Sequence, residues 1–359
     1  ETLLVAMPHI SWPMRFVLPY HPDMRFEGDT PTGRLMARLM PWMKGRRPSW
    51  LIRLGLFLYD TLGGRKILPA TRTLDLTRDP AGAALQTRFR HAYEYSDCWV
   101  EDSKLVSLNA RDAAERGAQI MTRTRVISAN RLDGLWQIET EGPQGRHHYR
   151  ARALVNAGGP WVEDVIRNVA RINSSEGVRL VRGSHIVTRK LYDHDRCYFF
   201  QGTDGRIIFA VPYEQDFTLI GTTDKDHKGA PKDAACTDEE RDYLLNFASQ
   251  YFAKPVTPAD VVWTYAGVRP LLEDASKDAS AVTRDYVLET SDQGAPLMTV
   301  WGGKITTYRK LAEQAATQLG VLLGQAGRPW TEDAVLPGGD LSAWTQTACA
   351  GPDLGLVAF

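Results

Sequence analysis

The stretch PLMTVWGGKITTYRKLAEQAATQLG, residues 296–320, decides how this chain is read: an apolar strand runs into a Gly-Gly turn, and the turn opens directly into a helix. Glycines at such a hinge let a ligand approach the backbone closely. The free N–H groups at the start of the helix attract an anion or an electron-rich carbonyl. A Walker phosphate loop fails on spacing, because it would need Gly where Met298 stands and a hydroxyl where Ile305 stands. Upstream, ARALVNAGGPWVEDVIRNVA (residues 151–170) repeats the order strand, glycine turn, helix. Two such turns in one chain are α/β grammar, and parallel α/β sheets bind cofactors at the carboxyl ends of their strands.

Between the two turns, residues 178–223 read as β-branched and aromatic strands (VRLVRGSHIVT, CYFFQ, RIIFAVPY, FTLIGTT), which predicts a mostly antiparallel sheet. A charged helix is expected over 237–252, and strands over 261–269 and 286–290. Before the first turn, residues 102–117 have helical periodicity with Val106, Ala110 and Ala113 on one side, followed by strands in 119–132 and 135–141. The start, ETLLVAMPHI, reads as the end of a helix stopped at Pro8, and residues 12–22 as a strand.

The chain has 359 residues, enough for two or three compact units. With 43 Lys+Arg against 43 Asp+Glu it lacks the positive surplus of a protein that coats nucleic acid, so no nucleic-acid partner is expected. Four scattered cysteines without a CxxC suggest neither zinc nor a disulfide framework, so no metal is expected. Charge is uneven locally. Residues 34–66 hold eight basic residues and a single acid, Asp60, interleaved with bulky apolar side chains. Two readings fit: a segment lying on an anionic membrane surface, or two amphipathic helices whose apolar faces join the core.

Three strand residues could carry chemistry: His185 in GSHIV, Arg269 in AGVRPL and Arg284 in TRDY. A guanidinium on a rigid strand can grip a carboxylate or phosphate with two hydrogen bonds. No GxGxxG is present, so a dinucleotide diphosphate site is not expected within these residues.

Taken together, EYSDCWVEDSKLV, TRTR, LVNAGGPWV, GSHIV, IGTTD, VWTYAGVRPL, TRDY and GGKITTYRKLAE, in this order, resemble the FAD-dependent respiratory glycerol-3-phosphate dehydrogenases of the D-amino-acid-oxidase-like flavoproteins. The resemblance runs from Glu1 to about Gly339. It implies an α/β (α+β) fold in which an FAD domain built from separate segments, here 97–172 and 276–336, alternates with an antiparallel substrate domain, here 1–96 and 173–275. Residues 337–359 would begin a truncated C-terminal region. The family's N-terminal GxGxxG unit is missing, so the isolated chain is expected to be a fragment that is inactive alone.

The same resemblance supplies roles. Ala157, Gly158, Gly159, Trp161, Gly302, Gly303, Lys304, Ile305 and Thr306 map as FAD contacts, and Val126 touches the adenosine half through its backbone. Arg269 and Arg284 map to substrate-binding arginines, with His185 and Lys304 beside the flavin. The implied reaction oxidises glycerol 3-phosphate to dihydroxyacetone phosphate, with His185 as the base and Lys304 or Arg269 polarising the oxygen. Electrons would pass to a membrane quinone from a homodimer lying peripherally on the cytoplasmic face of the inner membrane. An oxidase that uses oxygen shares these motifs, and a noncatalytic binding module is the reading from another class.

Overall fold

The computed structural model describes residues 2–21, 24, 48–62, 67–172, 177–202, 205–272, 286–291, 293–325 and 327–340. The chain opens with α1 (Thr2–Ala6) and β1 (Ser11–Pro19), then α2 (Ser49–Leu62), β2 (Arg72–Asp75), β3 (His91–Val100) and α3 (Asp102–Glu115). A three-stranded meander follows, β4 (Arg125–Leu132), β5 (Leu135–Gly142) and β6 (Gly145–Ala151), and then the short β7 (Leu154–Asn156). Next come β8 (Val178–Arg189), β9 (Cys197–Gln201), β10 (Ile207–Tyr213), β11 (Phe217–Gly221), β12 (Lys225–Asp226), α4 (Asp238–Ser249) and β13 (Val261–Leu272). The last described elements are β14 (Tyr286–Ser291), β15 (Leu297–Gly302) and α5 (Tyr308–Leu322).

Among the described residues the main sheet has nine strands in the order β12-β8-β11-β10-β9-β1-β3-β2, with β13 on the other edge of β8. As the β-branched and aromatic runs predict, its pairings are antiparallel, except that β1 lies parallel to β9. Period-two alternation sends Ile186, Tyr198, Phe200, Ile208, Ala210 and Ile220 into the main core, which α4 covers with Leu244, Leu245, Phe247 and Ala248. The helix starts where Thr237 and Glu240 form a reciprocal capping box. A second core joins Trp136, Val162, Ile166, Leu297 and Trp301 to Leu272 at the end of β13, so the meander, the β14-β15-β7 sheet and the main sheet meet there.

Three expectations change. The buried face of α3 is not the Val106 side: Val106 is 66% exposed, whereas Leu105 is buried against Ala6, Met7, Ile10 and Leu336. The helix after the first glycine turn is a single helical turn, Val162–Asp164, running into a π-helix, Val165–Ala170. β6 was not expected as a strand at all. Of the basic window, residues 34–47 and 63–66 lie outside the described residues, as do Arg284 and residues 341–359.

Candidate active site

β7 and β15 run parallel and side by side, with Leu297 opposite Leu154 and Thr299 opposite Asn156, so both glycine turns leave the same end of one small sheet. Buried Asn156 staples the first turn, its Nδ2 donating to Val162 O at 2.9 Å while its Oδ1 accepts from Gly158 N at 3.2 Å. Gly159 then takes φ +54°, and Gly302 and Gly303 take +69° and +96°, left-handed values that side chains resist. Lys304 follows in extended backbone and is exposed, without an ion pair among the described residues, and Ile305–Thr307 form one 3-10 turn.

Val155, Trp161 and Ile305 stand 43%, 49% and 43% exposed beside these turns. The local chemistry is therefore a set of backbone N–H groups and sharp glycine corners rimmed by exposed apolar faces. It fits a flat, largely apolar ring system with a polar edge. Val126, the other residue expected to touch the cofactor, sits in β4 at an irregularity of the β4–β5 register, one side of it open to solvent.

β13 packs against both the Gly159–Trp161 turn and β15, and this contact brings substrate-side residues to the turns. On β13, Tyr265 lies opposite His185 of β8, Gly267 opposite Gly183, and Arg269 opposite Val181. Directly opposed antiparallel residues share a face, so His185, Tyr265 and Arg269 all project to one side. The Arg269 guanidinium folds over Gly183, where an added Cβ would fall 2.7 Å from Nη2. Its Nη1 pairs with Asp224 Oδ1 at 2.6 Å, and its Nη2 donates to Thr222 Oγ1 at 3.2 Å. Five N–H donors on one plane leave some free for an incoming anion after these two bonds.

Burial, and secondarily the Arg269 charge, push the His185 pKa down to about 4, so the imidazole is neutral at physiological pH. A neutral ring can accept a proton. Its Nδ1 is buried and has no hydrogen-bond partner among the described residues.

The segment between β11 and β12 is clasped from below. Ser184 N donates to Thr223 Oγ1 at 2.9 Å, and Thr223 Oγ1 donates to Glu240 Oε1 at 2.9 Å. Glu240 also pairs with Arg182 at 2.8 Å and is buried. Burial raises its pKa, but the bonds from Thr237, Thr223 and Arg182 outweigh that and hold it below the usual carboxylate value. One carboxylate thus fixes both the residue before His185 and the threonine between the two partners of Arg269.

Sequence reasoning singled out His185, Arg269, Lys304 and the two turns, and it missed Asp224, Thr222 and Tyr265. The cluster Thr-Thr-Asp closing an apolar strand was the available signal for the first two. A separate cleft of about 670 Å³, lined by Lys190, Tyr192, His194, Phe252 and Lys254 among others, contains none of these residues.

Residues 6–309 match the family described as DAO, FAD dependent oxidoreductase. The chain belongs to this family. Its cofactor is FAD, as the resemblance implied, and the mixed α/β fold agrees with the expected class. The flavoprotein chain is 49% identical over 345 residues to D-erythritol 1-phosphate dehydrogenase of Brucella abortus, covering 95% of this chain and 64% of that protein. It is 46% identical over 343 residues to a glycerol-3-phosphate dehydrogenase of Pseudomonas aeruginosa, covering 95% of this chain and 62% of that protein. The chain therefore spans less than two thirds of the length of these curated relatives. Among solved structures it resembles the glycerol-3-phosphate dehydrogenase of Bacillus halodurans complexed with FAD, with TM-score 0.67, 23% identity, and coverage of 94% of this chain and 57% of that one.

Proposed function

We propose that this chain is the substrate-binding part, with a portion of the FAD-binding part, of a dehydrogenase acting on a small polyol phosphate, glycerol 3-phosphate first. The observation that carries the reading is the meeting of β13, bearing Arg269 and facing His185, with the two adjacent glycine turns. FAD, when bound, accepts the hydride from the carbinol carbon. Ala157, Gly158, Gly159, Trp161, Gly302, Gly303, Ile305 and Thr306 hold it, with Val126 toward its adenosine end.

His185, neutral, takes the proton from the neighbouring hydroxyl as the C–H bond breaks. Arg269 stabilises the developing oxyanion, and Lys304 lies at the flavin-side edge to help polarise it. Arg284 and the remaining donors of Arg269 bind the phosphate. Residues 97–172 and 276–336 form the FAD side, and residues 1–96 and 173–275 the substrate side. The electrons pass to a membrane quinone, with α2 and its basic neighbours against the cytoplasmic leaflet.

A second substrate has a specific reason behind it. The 49% identity to D-erythritol 1-phosphate dehydrogenase favours a four-carbon phosphate of the same chemistry. The test is titration of the FAD-loaded protein with each phosphate while following flavin absorbance. Bleaching by glycerol 3-phosphate is expected, and the larger kcat/KM of the two assigns the substrate. Flavin that neither phosphate bleaches ends this reading, and a full-length protein that holds no flavin points to a binding module instead. In the active enzyme His185→Ala should lose at least about 100-fold in kcat, the usual scale for a general base. Arg284→Ala should act first on KM.

A further inference from the structure

We propose that Tyr265 is a positioning residue for His185: its ring, together with the side-chain-free surface of Gly221, clamps the imidazole between neighbouring strands and keeps water from it. The inference rests on the function proposed above, because the clamp bears on catalysis only where His185 takes the substrate proton.

His185 lies in β8 with Gly221 of β11 across one edge and Tyr265 of β13 across the other. The Tyr265 and His185 rings are stacked, centroids 4.9 Å apart and planes within 6°. Trp263 leans on Tyr265 at 5.2 Å, extending the row by one more ring. On the opposite flank a Cβ added to Gly221 would fall 2.0 Å from His185 Cδ2 and 2.6 Å from Nε2. Gly221 is not among the residues with positive φ, so glycine is required there for room rather than for backbone freedom. The imidazole is thus held on both flanks, by an aromatic face on one side and by a strand without a side chain on the other.

A stacked tyrosine has two opposing effects on an imidazole. Its π face favours the imidazolium by about 0.5–2 kcal/mol, which raises the pKa. Its bulk removes water, which lowers it. Burial is the main cause of a His185 pKa near 4, and the stacked Tyr265 ring is one of the surfaces that cover the imidazole, so removal of water is the effect assigned to it here. Among the described residues the charged group facing the ring is Arg269 of β13, which is itself held by Asp224 from the segment after β11. Tyr265 acts with Arg269 to keep the base unprotonated and its ring in one orientation.

The test uses FAD-loaded protein carrying labelled histidine, with the His185 resonance assigned by its loss in His185→Gln. NMR titration of Tyr265→Phe, which keeps the stack, should match the parent. Tyr265→Val, a good strand residue that opens the ring face, should titrate higher by about one unit or more. The acid limb of kcat/KM should move by the same amount. Tyr265→Thr serves if the valine variant does not fold. An unchanged or lower His185 titration in the opened variant overturns the clamp. Wild-type turnover in His185→Gln would instead remove the catalytic role of His185, leaving the NMR result to decide the clamp by itself.

Discussion

Glu94 has no exposed surface and takes three arginines at once: Arg15 Nη2 at 2.6 Å, Arg196 Nη1 at 3.3 Å, and Arg72 through its Nε. Burial pushes the carboxyl pKa up, but the hydrogen bonds from Arg72 and Arg15 outweigh it and hold the group below 4.5. The unfolded chain therefore binds a proton here that the folded chain refuses. The resulting stability is present above pH 4.5 and is lost as the pH falls through the lowered folded value. Glu94→Ala, which leaves the arginines facing one another, should cost about 3–5 kcal/mol in urea unfolding at neutral pH. Glu94→Gln should flatten the acid slope of stability below that point. An unchanged midpoint for the alanine variant would show that Arg196 is held by Asp79 alone. At this scale the sequence exposes chemistry by residue type: His185 and Arg269 stand out because an imidazole and a guanidinium on strands are unusual enough to question. Tyr265 and Asp224 do not stand out. Their parts are set by which strand lies beside which, and that register depends on partners far along the chain.

Among the elements, α3 shows where periodicity stops deciding. Val106, Ala110 and Ala113 make a helical stripe, and so do Leu105 and Leu108 one residue out of phase. The structure buries the second stripe, because α1, Tyr308 and Leu336 supply its partners. Leu105→Ala should cost about 2–5 kcal/mol. Val106→Ala should stay within about 0.5 kcal/mol. Thermal unfolding of the two variants side by side checks this, and equal losses would put the helix in the other phase. Strands with two buried faces or strong alternation, such as β8, β10, β11 and β15, were legible from β-branched and aromatic runs. β6, with four exposed residues at its start and no apolar alternation, was not, since its place is set by pairing with β5. The glycine turns were legible because glycine clusters at a strand end leave few alternatives. That their two strands are neighbours was not, as they lie far apart in the chain.

For the whole molecule the open matter is what meets the outer side of α2. Its inner side is settled: Ile52 and Leu56 pack on the cluster of Leu18, Met24 and Tyr93, and Tyr59 sets its ring against Tyr95 at 6.1 Å. The outer side leaves Trp50, Leu54, Phe57 and Leu58 between 42% and 58% exposed on one helix. Of the two readings of the basic window, α2 meets the core reading on its inner face by covering the sheet, while its outer face presents the apolar bulk that the membrane reading would need. No described helix is long and apolar enough to cross a bilayer, and the lipid contact expected of an amphipathic helix such as α2 is one lying along the interface. Seven of the window's eight basic residues lie outside α2 in sequence, and Arg53 lies within it. A lipid surface then needs both terms, apolar insertion by Trp50 and Phe57 and attraction of the flanking cations to anionic headgroups. Burying two such side chains even halfway is worth about 1.5–3 kcal/mol in sum, so Trp50→Ser with Phe57→Ser should weaken vesicle binding roughly tenfold or more. Cosedimentation with phosphatidylcholine vesicles, with and without phosphatidylglycerol, gives the reading. Binding should require the anionic lipid, weaken as salt is raised, and fall in the double variant, while turnover with a water-soluble electron acceptor stays at the parent value. Parent protein that ignores anionic vesicles at low salt would remove the membrane from this account and leave the α2 face to a protein surface.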